Sequence, residues 1–306
     1  MENDPLLRKA NVEVLRRQLK PSEPEGEQSR RSVRVALFTL VSVLTALFVQ
    51  LQFVWQFYSA PRFVWGCVGA CFFISLIIFA VTGSTRRHMA TLAWCVTISC
   101  AVGVGLGLTA YFRSAIFSHA YTNMRVYTDS AASQPAAVFN DAGMIMFNEG
   151  SKVEAAKSVG YKSIEAEGEV YCVAPIVSNT MTDVTPITFW AVGTGCCAKR
   201  KQFYCDESTN ADAHGGVVLL RPEVLTPPAF RWLLRNEVDR DMYLRAVDLQ
   251  SAYFGTTSAA SPVFVRWFEK PDQFVAHYMH EALEFVFNAT FIYFFVAAVL
   301  AFQVAK

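Results

Sequence analysis

The chain has 306 residues, 53% apolar and 17% charged, a balance too apolar for an ordinary soluble domain and too charged for one wholly embedded in lipid. Its formal net charge of +1 gives no broad electrostatic field, which argues against nucleic acid or an acidic substrate as a charge-driven partner. No apolar run opens the chain, and the first one is too long for a cleavable signal peptide, so the first span is expected to act as the anchor.

Residues 1–34 read as a cytosolic basic tail and linker. Asp4-Pro5 is a helix start, with Leu7, Ala10, Val14 and Leu15 on one face up to Lys20. Arg8, Lys9, Arg16, Arg17 and Lys20 outnumber Glu13, the pattern of a segment lying on an anionic leaflet, although a solvated tail fits the same residues. Pro21 to Ser29 reads as a linker. Glu2 with Leu6 and Leu7 matches the acidic dileucine spacing, a candidate endosomal, lysosomal or vacuolar sorting signal.

Crossing the hydrocarbon core as a helix takes about 20 mostly apolar residues without central charges. Residues 36–58, 63–82, 90–112 and 285–305 qualify, and none of these runs contains Asp, Glu, Lys, Arg or His. Arg30, Arg31 and Arg34 before the first run, and Arg86-Arg87-His88 between the second and third, predict that both segments are cytosolic. The loop after the third run is then extracytosolic and Lys306 cytosolic. Gly103 and Gly107 form a small-xxx-small pair for close helix packing, within the chain or in a homo-oligomer. The runs lack the intramembrane ionisable groups that pumps and voltage sensors use, whereas a pore lined by hydroxyls or carbonyls needs none.

Residues 113–275 are long enough for a domain with its own core. Strand-like runs at 137–147, 169–177, 187–192, 217–220 and 263–268 alternate with helical segments at 226–235, opened by Thr226-Pro227, and 239–254. In the second helix Met242, Ala246, Leu249 and Tyr253 are expected on one face, and Gly255 ends it. The expected fold is therefore a four-helix transmembrane bundle with an α+β, disulfide-bonded extracytosolic domain between spans three and four.

Cys172, Cys196, Cys197 and Cys205 are an even set in an oxidising compartment, which predicts two disulfides. A bond between the adjacent pair would close a strained ring, so Cys196 and Cys197 should each reach Cys172 or Cys205. A zinc site using these thiols with His214 is the alternative, but the adjacent pair breaks the usual ligand spacing. Residues 276–306 form a juxtamembrane segment and the fourth span. If its helix reaches back to about Pro271, His277 faces Glu281 and His280 faces Glu284, a candidate pH-sensing group or divalent-metal site at the membrane surface.

Four passes with a large second outer loop carrying Cys196-Cys197 resemble, in outline, the tetraspanins, which organise partner proteins in membranes. Tetraspanins place glycine after that pair, where Ala198 stands here. Tyr171-Cys172-Val173-Ala174-Pro175-Ile176, Phe189-Trp190-Ala191-Val192-Gly193 and Cys205-Asp206 resemble more closely uncharacterised multi-pass membrane proteins of dinoflagellate algae, a resemblance that carries no activity and no functional residue. No Gly-x-Ser-x-Gly, phosphate-cradling loop or His-Glu-x-x-His motif occurs, which argues against an enzyme. The expected function is recognition or scaffolding of a partner protein or surface ligand at a plasma, endosomal or vacuolar membrane. A channel or transporter subunit is the alternative, and no cofactor is expected.

Overall fold

The computed structural model describes residues 25–82, 87–163, 168–182, 184–197, 202–220, 225 and 240–304. The tail helix, the dileucine signal at Glu2, Leu6 and Leu7, and the helix expected at 226–235 lie outside the described residues.

Four helices are long and apolar enough to cross a membrane. The first, α1 (Glu25–Gln56), begins well before the apolar run, and so takes in residues expected to be linker. Once a helix is nucleated, each further residue costs little, and no proline lies between Glu25 and Gln56 to stop it. Proline at the first helical position opens α2 (Pro61–Thr82). The third helix, α3 (Arg87–Ala110), does not end near Phe112: it passes through a π-helical turn (Tyr111–Ala115) into α4 (Ile116–Asn123). Arg113 is exposed in that turn while Ser114, Ala115, Ile116, Ala120 and Tyr121 stay buried, so one charge did not end the buried face.

In the bundle, α1 packs against α3 and against the last helix, α6 (Pro271–Val304), while α2 packs on α3. A Cβ on Gly103 would lie 2.9 Å from the Ala46 carbonyl oxygen, and one on Gly107 would lie 3.0 Å from Phe53, so both glycines admit α1 of the same chain. Fully buried Gln50 donates from Nε2 to Thr290 Oγ1 of α6 at 3.4 Å, and the Ser99 and Tyr293 hydroxyls are hydrogen-bonded at 2.8 Å.

Between α4 and α6 lies a mixed eight-stranded sheet in the order β1-β2-β7-β8-β6-β5-β3, with β4 also paired to β5. The strands are β1 (Arg125–Ser130), β2 (Ala142–Phe147), β3 (Ser151–Val153), β4 (Val159–Lys162), β5 (Val170–Ser178), β6 (Ile187–Thr194), β7 (Gly215–Val218) and β8 (Ser258–Phe268). Pairs β1/β2 and β6/β8 are parallel and the rest antiparallel. The parallel β6/β8 pair needs a crossover, and α5 (Arg240–Phe254) lies on it. The run expected as one strand at 137–147 is split: a short 3-10 turn (Ala136–Phe139) follows Pro135, and β2 starts only after Asn140 and Asp141. Strands β1, β3 and β4 fall outside the expected runs, being short and partly exposed, with little alternation to read.

Period-two alternation gives the sheet two buried faces. Tyr171, Val173, Trp190, Val192 and Phe264 pack under α5, whereas Cys172, Ala174, Ile176, Phe189, Ala191, Val265 and Trp267 point the other way. On α5 the buried stripe is Met242, Tyr243, Ala246, Val247 and Gln250. Leu249 and Tyr253, expected on that face, are 46% and 80% exposed because they lie one helical step round from the sheet. Gly255, at φ +67, ends the helix as expected.

Candidate ligand cleft at the end of the sheet

A cleft of about 320 Å³ opens where the parallel strands β6 and β8 end. Gly193 and Thr194 close β6, Glu169 and Tyr171 lie at the start of β5, Leu219 follows β7, Arg266 comes from β8 and Tyr243 from the first turn of α5. Cys196, Cys205 and Asp206 complete the wall from the loop after β6. Crevices beyond the carboxyl ends of strands are where open sheets commonly hold ligands.

Two disulfides shape that loop, Cys172–Cys197 and Cys196–Cys205, with Cα separations of 5.7 and 5.0 Å. Cys172 lies opposite Gly160 on β4 and Gly193 on β6. A Cβ on Gly160 would stand 2.8 Å from the Cys197 sulfur, and one on Gly193 would stand 2.8 Å from those of Cys196 and Cys205. Glycine on both neighbouring strands makes room for the crossed bonds. Three of the sulfurs, those of Cys172, Cys196 and Cys205, lie within 4.8 Å of one another. All three are committed to disulfides and offer no thiolate to zinc. His214 turns instead to the Ser151 carbonyl, 3.2 Å from its Nδ1.

In the cleft lining Arg266 meets Asp206 through two hydrogen bonds, Nε to Oδ2 at 3.0 Å and Nη2 to Oδ1. Asp206 adopts φ 50, a left-handed conformation that Asp tolerates better than most side chains. The guanidinium lies over the rings of Phe268, at 5.4 Å, and Phe274 of α6, at 4.6 Å. Burial opposes its charge, but the hydrogen bonds and charge of Asp206 outweigh that and raise its pKa.

Tyr243 is buried, its ring edge-on to that of Tyr171 at 5.2 Å. Burial chiefly, then Tyr171, raises its pKa; Glu169 and Asp206 add to this and Arg266 opposes it. Among the described residues its hydroxyl has no hydrogen-bond partner. None of Glu169, Tyr171, Asp206, Tyr243 and Arg266 stands out in the sequence as a site residue. Asp206 and Arg266 are 60 positions apart, and the one local hint is that Tyr171 and Asp206 each adjoin a cysteine.

The histidine group lies away from this cleft, on α6, whose helix does reach back to Pro271. His277 Nε2 stands 3.4 Å from Glu281 Oε1, and Ser114 of the π turn donates to Glu281 Oε2 at 3.2 Å. His280 and Glu284 are both exposed, and no ion pair joins them among the described residues. Instead the His280 ring stacks with that of His277 at 6.4 Å. Among the described residues, the four do not bring three ligand atoms close enough to share a metal.

Comparison of the chain with protein-family models, curated proteins and solved structures gave no match.

Proposed function

We propose that the chain is a four-pass membrane protein whose sheet domain stands on the non-cytosolic side and acts in recognition or scaffolding of a partner protein or surface ligand. The observation that carries this reading is a ligand-sized polar cleft in a sheet domain that continues directly from α4 and into α6. Large apolar side chains on the long helices support the membrane part: Phe73, Leu76, Phe287 and Ile292 are each more than half exposed, a surface that water would not tolerate over such lengths. The disulfides support an oxidising compartment for the domain, and the arginines before the first span support a cytosolic N-terminus.

Protease added to sealed vesicles with the cytosolic face outward should remove a tag at Lys306 and spare an epitope in the sheet domain. The protected chain, purified in mild detergent, should retain one stoichiometric partner or ligand. Loss of the epitope with retention of the tag would invert the topology, and an ionic current from proteoliposomes holding this chain alone would favour a channel over recognition.

A further inference from the structure

The cleft is a site whose ligand chemistry follows from its charges, and we infer that it binds an alkylammonium group, with Glu169 as its counter-ion and the Tyr243 hydroxyl as a second acceptor. This deepens the recognition reading and rests on it.

The described residues lining the cleft carry two carboxylates and one guanidinium. Asp206 and Arg266 satisfy each other through paired hydrogen bonds, which leaves Glu169 as the unbalanced charge among the described lining residues. An anion would meet that carboxylate and the Asp206 carboxylate in the same small space, gaining only the edge of a guanidinium already neutralised. Among the described lining residues a cation meets one like charge, that of Arg266, and Asp206 already balances it. Glu169 lines the cleft and is exposed, and it acts electrostatically on the buried Tyr243. The Tyr243 oxygen has lone pairs that an ammonium N–H can fill, and the rings of Tyr171 and Tyr243 present polarisable surface to a cation. Leu219 and the Cys196–Cys205 bond supply the apolar wall that an alkyl stem needs. A volume of about 320 Å³ suits a short chain with one head group. The same chemistry is found in a free alkylamine and in a lysine side chain of a partner protein.

Isothermal titration calorimetry of the full chain in detergent, with cadaverine and with a lysine-containing peptide blocked at both ends, tests the inference. At least one should bind saturably and more weakly as salt rises. Glu169→Gln, an exposed change that leaves the core intact, should weaken binding about tenfold. Tyr243→Phe should weaken it about fivefold while the melting midpoint at neutral pH holds. Cadaverine binding alone identifies a free amine, and tighter binding of the peptide identifies a partner's lysine. Binding of glutarate or glucose in place of both amines, amine affinity unchanged in Glu169→Gln, or no binding of any probe would overturn the inference. No amine binding by a chain whose sheet domain is protected and partner-bound would overturn the ligand class alone. A sheet domain cleaved from the cytosolic side would overturn the recognition reading and leave the binding result standing.

Discussion

Gly193 and Gly160 show how much a missing side chain can decide. Each sits beside Cys172 in the register, and a Cβ at either would stand 2.8 Å from a disulfide sulfur. Ladder pairing holds the strands and the disulfides hold the sulfurs, so neither side moves aside easily. Gly193→Ala and Gly160→Ala should each destabilise the domain by about 1–3 kcal/mol, the usual cost of overpacking, read as a lower melting midpoint of the oxidised chain in detergent. Tyr243 carries a pH dependence. Burial keeps its phenol proton on in the folded state, whereas unfolded tyrosine releases it near pH 10. Its contribution to stability is therefore whole below about pH 10 and falls as pH rises further. The melting midpoint should decline above that pH, and Tyr243→Phe should make the decline shallower with little effect at pH 7. An equal slope in both proteins would show that other groups govern alkaline unfolding.

At the level of elements, α3 offers its own control. A Cβ on Gly103 or Gly107 would meet α1 at 2.9 or 3.0 Å, whereas a Cβ on Gly105 would meet nothing within 4 Å. Gly107→Leu should separate α1 from α3 and lower the temperature of aggregation in detergent, and Gly105→Leu should be tolerated. How far each element could be read from sequence follows the strength of its period. The long helices and β5, β6 and α5 announce themselves by uninterrupted apolar runs or by a stop such as Gly255. On α5, Met242 and Ala246 lie on the buried stripe as expected and Leu249 and Tyr253 do not, because apolar residues flank the stripe on both sides and only contact with the sheet distinguishes Tyr243 and Val247 from Leu249. β4 is short and half exposed; it exists because β5 offers it an edge.

On the scale of the whole molecule, two disulfides fasten the loop that walls the cleft, spanning 25 and 9 positions. Partial-reduction mapping should recover Cys172 with Cys197 and Cys196 with Cys205, and full reduction should destabilise the domain by about 2–4 kcal/mol per bond. The same reduction should abolish amine binding before the long helices lose their secondary structure by circular dichroism, since Cys196, Cys205 and Asp206 all leave the wall together. Asn288-Ala289-Thr290 lies inside α6, so a chain spanning the bilayer there should show no mobility shift on glycosidase treatment. A shift lost in Asn288→Gln would mean that this segment is not within the membrane.

The sequence alone determined four helices of membrane-crossing length, a mixed domain between the third and fourth, and two disulfides among four named cysteines. Each is a local property: apolar length, period, or an even set of thiols in which neighbours cannot pair. The tertiary structure decided which cysteines join, where α3 continues through Tyr111–Ala115 into α4, and that a cleft exists. It brought Glu169, Asp206, Tyr243 and Arg266 together from four separate segments, and it paired His277 with Glu281 while leaving no such pair between His280 and Glu284 among the described residues. Spacing along a helix sets which side chains are near enough to meet, but a contact such as Ser114 to Glu281 depends on what the neighbouring helix presents, and that is fixed only when the chain packs.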